Sequence, residues 1–173
     1  MSDLVTARLV LHPMTGNDAE DVLAGVPGEG ARWAPGYPGH GDVNAARRYL
    51  DTVARTGDPQ PFGNYEVRRQ EDGQVVGGVG FHGPADEHGS VAIGYGLVPS
   101  ARGRGYASEA LRELVRFARE CGATCVRGDA DLDNVASQHV MEAAGMRHVG
   151  QDSRVRYFEL AWTDAAAVTD AHS

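Results

Sequence analysis

Hydrophobic and polar residues alternate along this chain with two different periods, and each period predicts one kind of secondary structure. Short apolar or alternating runs predict strands over residues 64–69, 74–81 and 90–98. The turn Glu71-Asp-Gly73 joins the first two of these strands into a hairpin. This hairpin predicts antiparallel pairing at the centre of a sheet.

Apolar residues spaced three and four apart predict the helices. The strongest stripe extends from Gly105 to Glu120 and ends before Gly122. Its apolar members are Ala107, Ala110, Leu111, Leu114, Val115 and Ala118. This segment is therefore predicted to pack one face of a long helix against the core.

The remaining elements fill the rest of the chain. Further strands are predicted over 6–13, 124–130, 146–149 and 154–162, and further helices over 43–55 and 135–144. Asn17 with Glu20 three residues later predicts the capped start of another short helix. The segment 25–40, rich in Gly and Pro, is predicted to be a long loop.

The order of these elements predicts the fold class. An antiparallel meander is followed by strand, helix, strand, helix and two strands, which indicates an α/β protein with a mixed, mostly antiparallel sheet and helices on both faces. A length of 173 residues suffices for one domain with a sizeable core. We expect residues 1–163 to form that domain and 164–173 to be a flexible tail.

Charge and cysteine content narrow the functional classes. The net charge of −8 argues against a nucleic-acid groove and against binding to an anionic membrane. Cys121 and Cys125 are the only cysteines, and no second pair completes a zinc site, so we expect no metal and a reducing compartment. No signal-peptide pattern and no run of about 18 apolar residues is present. We therefore expect a cytoplasmic protein.

The strongest chemical signal lies between Tyr95 and Ala110, where a predicted strand leads through a glycine-rich turn into the long helix. The first turn of a helix has free amide donors and the positive end of the helix dipole. Gly103 and Gly105 leave these donors uncovered, and Arg102 and Arg104 add positive charge at the rim. The turn is therefore predicted to bind a phosphate group.

Two other phosphate motifs fit the same residues less well. A Walker loop ends in Gly-Lys-Ser/Thr, but no lysine follows Gly105. A dinucleotide fingerprint needs Gly-x-Gly-x-x-Gly, and the segment from Gly103 to Ser108 ends in serine. The glycines within 76–81 alternate with apolar residues and indicate a closely packed strand rather than a loop.

The glycine turn resembles the Arg/Gln-x-x-Gly-x-Gly/Ala signature of the GNAT superfamily of N-acetyltransferases, matched by Arg102, Gly105 and Ala107. Three further segments resemble the family in the same order, in particular its RimJ/RimL-like branch of ribosomal-protein N-terminal acetyltransferases. They are Thr6-Ala-Arg-Leu-Val-Leu11, Ile93-Gly-Tyr-Gly-Leu-Val-Pro99, and Asn134-Val-Ala-Ser137 followed by Ala144-Gly-Met146. Four ordered matches over nearly the whole chain are more specific than any one motif.

The resemblance implies a site for acetyl-CoA. In this family the glycine turn holds the pyrophosphate, which assigns that contact to Arg102, Gly103, Arg104, Gly105, Tyr106 and Ala107. The strand before the turn splays from its neighbour in the family and leaves backbone groups unpaired. Mapped onto this chain, Leu97 and Val98 offer main-chain hydrogen bonds to the pantetheine arm, and the N–H of Leu97 polarises the thioester carbonyl.

Asn134 and Ser137 each have a structural and a functional interpretation. Asn134 suits the N-cap of the helix that begins at Val135, and in the family its amide also contacts the CoA arm. Ser137 is either a locally bonded hydroxyl or, by resemblance, a CoA contact that gives a proton to the departing thiolate. A thiolate needs little such help, because the pKa of a thiol is only about 8.5.

The position of the proton acceptor departs from the pattern that the resemblance implies. Many relatives carry a glutamate just before Ile-Gly-Tyr, but this chain has Ala92 there. His82 is the best replacement, since its reference pKa of about 6.5 suits proton transfer; an exposed turn histidine is the alternative. Asp129 and Asp131 either act through water or are simply solvated.

The resemblance implies direct transfer of an acetyl group from acetyl-CoA to an amine in a ternary complex. The acceptor ranges from a protein N-terminus to an amino-group antibiotic or a small metabolic amine, and Trp33 and Tyr37 either border its pocket or anchor the long loop. Two alternatives stay open: a CoA-binding regulatory module without chemistry, which Ala92 favours, and a nucleotide-dependent oxidoreductase that uses the glycine turn. Dimers are common in the family, so a homodimer also stays open.

Overall fold

The computed structural model of the chain describes residues 2–162. Their strands are β1 (Leu4–Val5), β2 (Leu9–Pro13), β3 (Asn64–Arg69), β4 (Val75–Phe81), β5 (Ser90–Leu97), β6 (Cys125–Asp131), β7 (Arg147–Gln151) and β8 (Val155–Ala161). Their α-helices are α1 (Gly16–Ala24), α2 (His40–Thr56), α3 (Tyr106–Glu120) and α4 (Val135–Ala143). A short 3₁₀ turn, Pro99–Ala101, follows β5. The flexible tail expected at 164–173 lies outside the described residues.

The strands of the described residues form one sheet in the order β1-β2-β3-β4-β5-β6-β8-β7. Neighbouring strands pair antiparallel, except that β5 and β6 are parallel. The hairpin between β3 and β4 forms the predicted antiparallel centre. The mixed, mostly antiparallel sheet expected from the sequence, and with it the α/β fold class, is confirmed.

The helices cover both faces of this sheet. Asn64 and Tyr65 are neighbours in β3 and therefore point to opposite faces. Asn64 Nδ2 donates to the carbonyl of Ala45 in α2 at 2.8 Å, whereas the Tyr65 ring meets Phe117 of α3 edge-on with centroids 6.2 Å apart. Since α1 packs against α2 and α4 against α3, the two helix pairs lie on opposite faces.

The core lies between the sheet and α3. The predicted apolar stripe of α3 is buried, except that Ala107 is half-buried because it lies in the first turn, beside the exposed glycine turn. The largest fully buried side chains of this core are Tyr65, Leu9, Leu11, Ile93, Leu111 and Leu114. Each Å² of buried apolar surface stabilises the folded state by about 25 cal/mol, so this layer is the main source of stability.

The strands β5 and β6 separate before either of them ends. Their ladder stops at the pair Ala92 and Arg127. Beyond this pair β5 continues to Leu97 beside β4, and β6 continues to Asp131 beside β8. The two central strands therefore leave a gap between them, as the resemblance implies.

The backbone of β5 determines which groups face this gap. The N–H of Val98 donates to the carbonyl of Val76 at 2.8 Å, and the N–H of His82 donates to the carbonyl of Ala92 at 2.8 Å. Because backbone groups alternate along a strand, the N–H of Leu97 points away from β4 and into the gap. The N–H of Val98, by contrast, is unavailable to a pantetheine arm because sheet pairing occupies it.

The start of α1 differs from the prediction. The Thr15 hydroxyl accepts the N–H of Asp18 at 3.2 Å, and the Asp18 carboxylate accepts the N–H of Thr15 at 3.0 Å, which is a capping box. The box predicted at Asn17 and Glu20 is therefore wrong. Thr15 comes two residues after β2 ends at Pro13, so the chain enters the helix at the first residue able to cap it.

The start of α2 is also earlier than predicted, at His40 instead of Val43. The Asp42 carboxylate accepts the N–H of Gly39 at 2.8 Å and so stabilises the first turn. Gly39 has no side chain that could mark it as a cap, which explains why the sequence pattern places the boundary too late. The loop before α2 consequently ends at Gly39 rather than at His40.

This loop is held to the sheet by its aromatic residues. Trp33 forms an isolated bridge with Val75 at the start of β4. Its ring meets Tyr37 edge-on with centroids 5.3 Å apart, and Tyr37 is buried. Both aromatic residues therefore anchor the loop.

Between residues 2 and 162, no helix has the length and apolar character needed to cross a membrane.

Gly77 allows a contact between β4 and β5 that a side chain would prevent. A Cβ atom at this position would overlap the carbonyl oxygen of Gly96 and lie 2.9 Å from the Cα of Leu97. These are backbone atoms, which cannot move aside without disturbing the ladder. The close strand packing predicted from the glycines of this segment is confirmed.

We therefore expect Gly77→Ala to lower the free energy of unfolding by about 2–3 kcal/mol, measured by urea denaturation, because overpacking forces backbone shifts. Gly16→Ala is the matched control, since no atom lies within 4 Å of its added Cβ and its φ is ordinary. The control should change stability by no more than about 1 kcal/mol. An unfolding midpoint of Gly77→Ala equal to that of wild type would contradict the close contact.

Candidate active site

A cavity of about 640 Å³ opens between α2, strands β4 and β5, and the gap beside β5. The predicted site residues that line it are His82, Leu97, Val98, Arg102 and Ser137. The cavity is also lined by Tyr37, Asp42, Arg48, Tyr95 and Asp129, among others. The predicted residues Gly103, Arg104, Gly105, Tyr106, Ala107 and Asn134 are not among its lining residues.

The glycine turn lies between the 3₁₀ turn and α3. Gly103 and Gly105 have φ angles of 76° and 82°, a left-handed conformation that glycine adopts without steric cost. Gly105 is the N-cap of α3 and supplies no side-chain hydrogen bond, and residues 102–105 are all exposed. The turn therefore presents the positive end of α3 and two arginines to solvent, which is the arrangement that binds phosphate.

Arg8 fastens this turn to the first strands of the sheet. Its guanidinium donates to the carbonyl of Arg104 and to the Glu109 carboxylate, both at 2.8 Å, and lies 4.5 Å above the Tyr106 ring. Glu109 also accepts the backbone N–H of Arg8 at 2.8 Å and the Thr6 hydroxyl at 2.5 Å. Sequence reasoning missed this network, although Arg8 lies inside one segment that carried the resemblance and Glu109 lies two residues after another.

Arg102 reaches from the turn back to the gap. Its Nε donates to the carbonyl of Leu97 at 3.1 Å. Like the N–H of the same residue, this carbonyl faces away from β4. Arg102 therefore satisfies a backbone acceptor in the gap and holds a positive charge between the glycine turn and the cavity.

Ser137 and Tyr95 meet inside the cavity. The Tyr95 hydroxyl donates to the Ser137 Oγ at 2.8 Å, and burial raises the pKa of Tyr95, although this hydrogen bond partly opposes the rise. Asn134 Oδ1 accepts the N–H of Ser137 at 3.0 Å, which confirms the N-cap interpretation of Asn134. Sequence reasoning missed Tyr95 as a partner because the pair lies 42 positions apart.

His82 lies at the end of β4, with its ring against Gly94 of β5. A Cβ atom on Gly94 would lie 2.6 Å from the His82 Nε2. The surrounding protein atoms lower the pKa of His82 by desolvation, the positive charge of Arg48 lowers it further, and Asp129 opposes the shift. His82 is therefore neutral at pH 7 and can accept a proton. Asp131, the other acidic candidate, is exposed and does not line the cavity.

The α2 side of the cavity carries negative charge that the sequence did not predict. Burial raises the pKa of Asp42 to about 6, the hydrogen bond from Gly39 opposes the rise, and the charge of Glu66 adds to it. Glu66 is only 4% exposed and pairs with Arg68 at 2.8 Å. Burial also raises the pKa of Tyr37, and the negative charges of Asp42 and Glu66 raise it further. These carboxylates come from separate elements, so only the fold brings them together.

Other candidate chemistry lies elsewhere. Cys121 and Cys125 are free thiols, and burial raises the pKa of both. Within residues 2–162, no group of three His, Cys, Asp or Glu side chains is placed so that it could hold a metal ion.

A sheet that separates between two central parallel strands, with an exposed glycine turn and a helix N-terminus beside the gap, is the architecture of an acetyltransferase. The acetyltransferase (GNAT) domain family matches residues 8–147 of the chain. The chain therefore belongs to the GNAT acetyltransferase family.

Individual relatives agree with this assignment. The uncharacterized N-acetyltransferase YoaA of Bacillus subtilis (strain 168) is 25% identical over 148 residues, which cover 85% of this chain and 84% of that protein. The ribosomal-protein-S5-alanine acetyltransferase of Vibrio fischeri superposes with a TM-score of 0.69 at 13% identity, over 93% of this chain and 97% of that one. RimL, a ribosomal L7/L12 alpha-N-protein acetyltransferase solved with coenzyme A, superposes with a TM-score of 0.67 at 14% identity, over 92% and 98%. At such identities the structures show a shared fold.

The Glu109 network gives a pH-dependent prediction. Burial alone would raise the pKa of Glu109, but hydrogen bonds from Thr6 and Arg8 outweigh it and lower this pKa. A carboxylate with a lowered pKa stabilises the folded state above its unfolded pKa and loses that effect as the pH falls through its folded pKa. We expect Glu109→Gln to lower the free energy of unfolding by about 1–3 kcal/mol at pH 7, and the difference to shrink below about pH 4.

Urea denaturation at several pH values measures this difference. Glu120→Gln is the control, since within residues 2–162 the carboxylate of Glu120 pairs with Arg116 alone, at the surface, and its effect should stay below about 1 kcal/mol. If the loss of unfolding free energy in Glu109→Gln were independent of pH, the charge of Glu109 would not stabilise the turn.

Proposed function

We propose that the chain is an acetyl-CoA-dependent N-acetyltransferase that moves an acetyl group to a primary amine in a ternary complex. The acceptor is either a protein N-terminus or a small-molecule amine. The observation that carries the proposal is the gap between β5 and β6, which leads from the exposed glycine turn into a cavity of about 640 Å³. The coenzyme A bound to RimL, a protein of the same fold, supports acetyl-CoA as the cosubstrate.

The donor half of the site uses the turn and the gap. The pyrophosphate binds at residues 102–105, where free N–H groups and the two arginines provide positive charge. The pantetheine arm lies in the gap, and its thioester carbonyl accepts the N–H of Leu97. As the amine attacks, negative charge develops on this oxygen, and a positioned N–H donor stabilises it. Asn134 and Ser137 contact the arm from α4.

The reaction forms one C–N bond and breaks one C–S bond. The neutral amine nitrogen attacks the thioester carbon, and the tetrahedral intermediate collapses with release of the CoA thiolate. The amine loses one proton, and neutral His82 accepts it directly or through a water molecule. The Ser137 hydroxyl gives one proton to the thiolate, the Tyr95 hydroxyl replaces it through their 2.8 Å hydrogen bond, and Tyr95 regains its proton from solvent.

A CoA-release assay with a panel of primary amines and short peptides, paired with calorimetric binding of acetyl-CoA, tests the proposal. We expect saturable acetyl-CoA binding, and CoA release that depends on the amine and leaves an acetylated product by mass spectrometry. Failure to bind acetyl-CoA would refute the proposal. Tight binding with no transfer to any amine would identify a CoA-binding regulatory module instead, the function that Ala92 favours.

A charge reversal at Arg104 tests the phosphate site. We expect Arg104→Glu to weaken acetyl-CoA binding by about 10- to 100-fold, because it replaces a cation beside the pyrophosphate with an anion. Arg112→Glu is the control, since it makes the same charge change on an exposed position further along α3. Isothermal titration calorimetry gives both dissociation constants. Equal affinities for the two variants would mean that the turn does not contact phosphate.

The pH dependence of turnover in His82→Ala tests whether His82 is the proton acceptor. A base is active when neutral, so wild-type kcat/KM should fall as the pH falls through the lowered pKa of His82, below about 6.5. His82→Ala should reduce turnover by about 10²-fold or more at neutral pH, and less near pH 9, where more of the amine is already neutral. His88→Ala, an exposed histidine in the turn between β4 and β5, should match wild type. An unchanged pH profile in His82→Ala would exclude His82 as the base.

A further inference from the structure

The connection between β6 and α4 is short and is held by backbone hydrogen bonds. It consists of residues 132–134, and it starts at the gap because β6 borders the gap on the side opposite β5. The N–H of Leu132 donates to the carbonyl of Arg154 at 3.1 Å, and the N–H of Asn134 donates to the carbonyl of Asp131 at 3.0 Å. The chain therefore enters α4 directly from the end of β6.

Gln138 of α4 reaches back to this connection. The residue is only 5% exposed, and its Nε2 donates to the carbonyl of Asp131 at 3.0 Å and to the carbonyl of Leu132 at 3.1 Å. The carbonyl of Asp131 thus accepts from the N–H of Asn134 and from the side chain of Gln138, which uses both of its lone pairs. The N-cap residue of α4 and a residue four positions further on are therefore attached to the same atom at the end of β6.

Arg156 of β8 fixes the orientation of the Gln138 amide. Its guanidinium donates to Gln138 Oε1 at 3.1 Å, which is the only side-chain hydrogen bond of Arg156 within residues 2–162. A guanidinium only donates and a backbone carbonyl only accepts. The oxygen of the amide must therefore face Arg156, and its NH2 group must face the two carbonyls. An ionised carboxylate, which has no donor, cannot make the same contacts.

Ser137 precedes Gln138 in α4 and contacts the other strand that borders the gap. Its Oγ accepts the hydroxyl of Tyr95 in β5 at 2.8 Å, and its N–H donates to Oδ1 of Asn134 at 3.0 Å. The first turn of α4 is thus attached to β5 through Ser137 and to the end of β6 through Gln138. These two attachments determine where Asn134 and Ser137 lie relative to the gap.

We propose that Gln138 is a positioning residue for the acyl donor, because it holds the first turn of α4 where Asn134 and Ser137 contact the pantetheine arm. This inference rests on the proposed binding of acetyl-CoA. Gln138 is not among the residues that line the cavity, so it acts through its two neighbours and does not touch the arm. Without its hydrogen bonds, the first turn of α4 shifts from the end of β6 and both contacts with the arm weaken.

Two ligands separate this role from a general effect on the fold. Gln138→Leu removes the hydrogen bonds but keeps a side chain of similar size, and it should weaken acetyl-CoA binding by about 5- to 30-fold. Adenosine 3′,5′-bisphosphate has the nucleotide end of CoA but no pantetheine arm, so its affinity should stay within about twofold of wild type. Isothermal titration calorimetry gives both dissociation constants. An equal loss for both ligands, or wild-type affinity for acetyl-CoA, would overturn this inference.

A second variant separates the two ends of the amide. Gln138→Glu keeps an oxygen for Arg156 but places a carboxylate against the two carbonyls, so it should weaken acetyl-CoA binding at least as much as Gln138→Leu. His139→Leu is the control, since it changes an exposed neighbour in α4, and both affinities should stay within about twofold of wild type. Thermal denaturation confirms that all variants are folded. Wild-type acetyl-CoA affinity in Gln138→Glu would contradict the role of the NH2 group.

A double-mutant cycle tests whether Gln138 acts through its neighbours. Asn134→Ser combined with Ser137→Ala keeps a cap for α4 but removes the amide and the hydroxyl that contact the arm. In this background Gln138→Leu should change acetyl-CoA affinity by no more than about twofold. A loss as large as in the wild-type background would overturn this inference while acetyl transfer stood. A wild-type protein that does not bind acetyl-CoA would overturn the proposed function and this inference together.

Discussion

The early end of the ladder between β5 and β6 is the constraint on which the rest of the site depends. Parallel strands normally pair along their length, and each buried backbone group left without a partner costs free energy. After Ala92 the backbone of β5 is paired on the β4 side only. Arg102 offsets part of this cost, because it donates to the carbonyl of Leu97.

The gap also divides the chemistry between the two faces of the sheet. Positive charge collects at the glycine turn, where the N-terminus of α3, Arg102 and Arg104 are exposed. Under α2 the cavity is lined by Asp42, with Glu66 nearby, and also by Arg48. A chain of net charge −8 thus keeps a local positive site at the glycine turn, which under the proposed function binds the anionic donor.

Local sequence signals were sufficient for most of the elements and for the glycine turn. The strand 64–69 has the predicted bounds, and α3 begins one residue after its predicted first residue, Gly105, which is its N-cap. These features depend on periodicity and on glycine chemistry, which act over a few residues. Predicted boundaries were wrong where two signals competed. At α1, Thr15 and Asn17 each stand three residues before an acidic residue, and Thr15 is the one that caps the helix.

The side-chain contacts of the site could not be predicted in the same way, because they join distant positions. Arg8 meets Glu109 across 101 positions, and Tyr95 meets Ser137 across 42. The glycines of β4 and β5 are similar. They are visible in the sequence, but only the register between the two strands pairs Gly78 with Gly96 and Gly80 with Gly94. Tertiary pairing of this kind leaves no periodic signal within either strand.

The same register connects two observations that the sequence left separate. Ala92 stands where many relatives carry a glutamate, and it faces His82 across the ladder through the 2.8 Å hydrogen bond between their backbones. Side chains of directly opposed residues share one face, so a carboxylate at position 92 and the imidazole of His82 would lie on the same face of the sheet. The His82 ring lies over Gly94, two residues further along that face. Under the proposed mechanism, His82 is therefore the proton acceptor on the face that a glutamate at position 92 would occupy, placed across the ladder rather than along the strand.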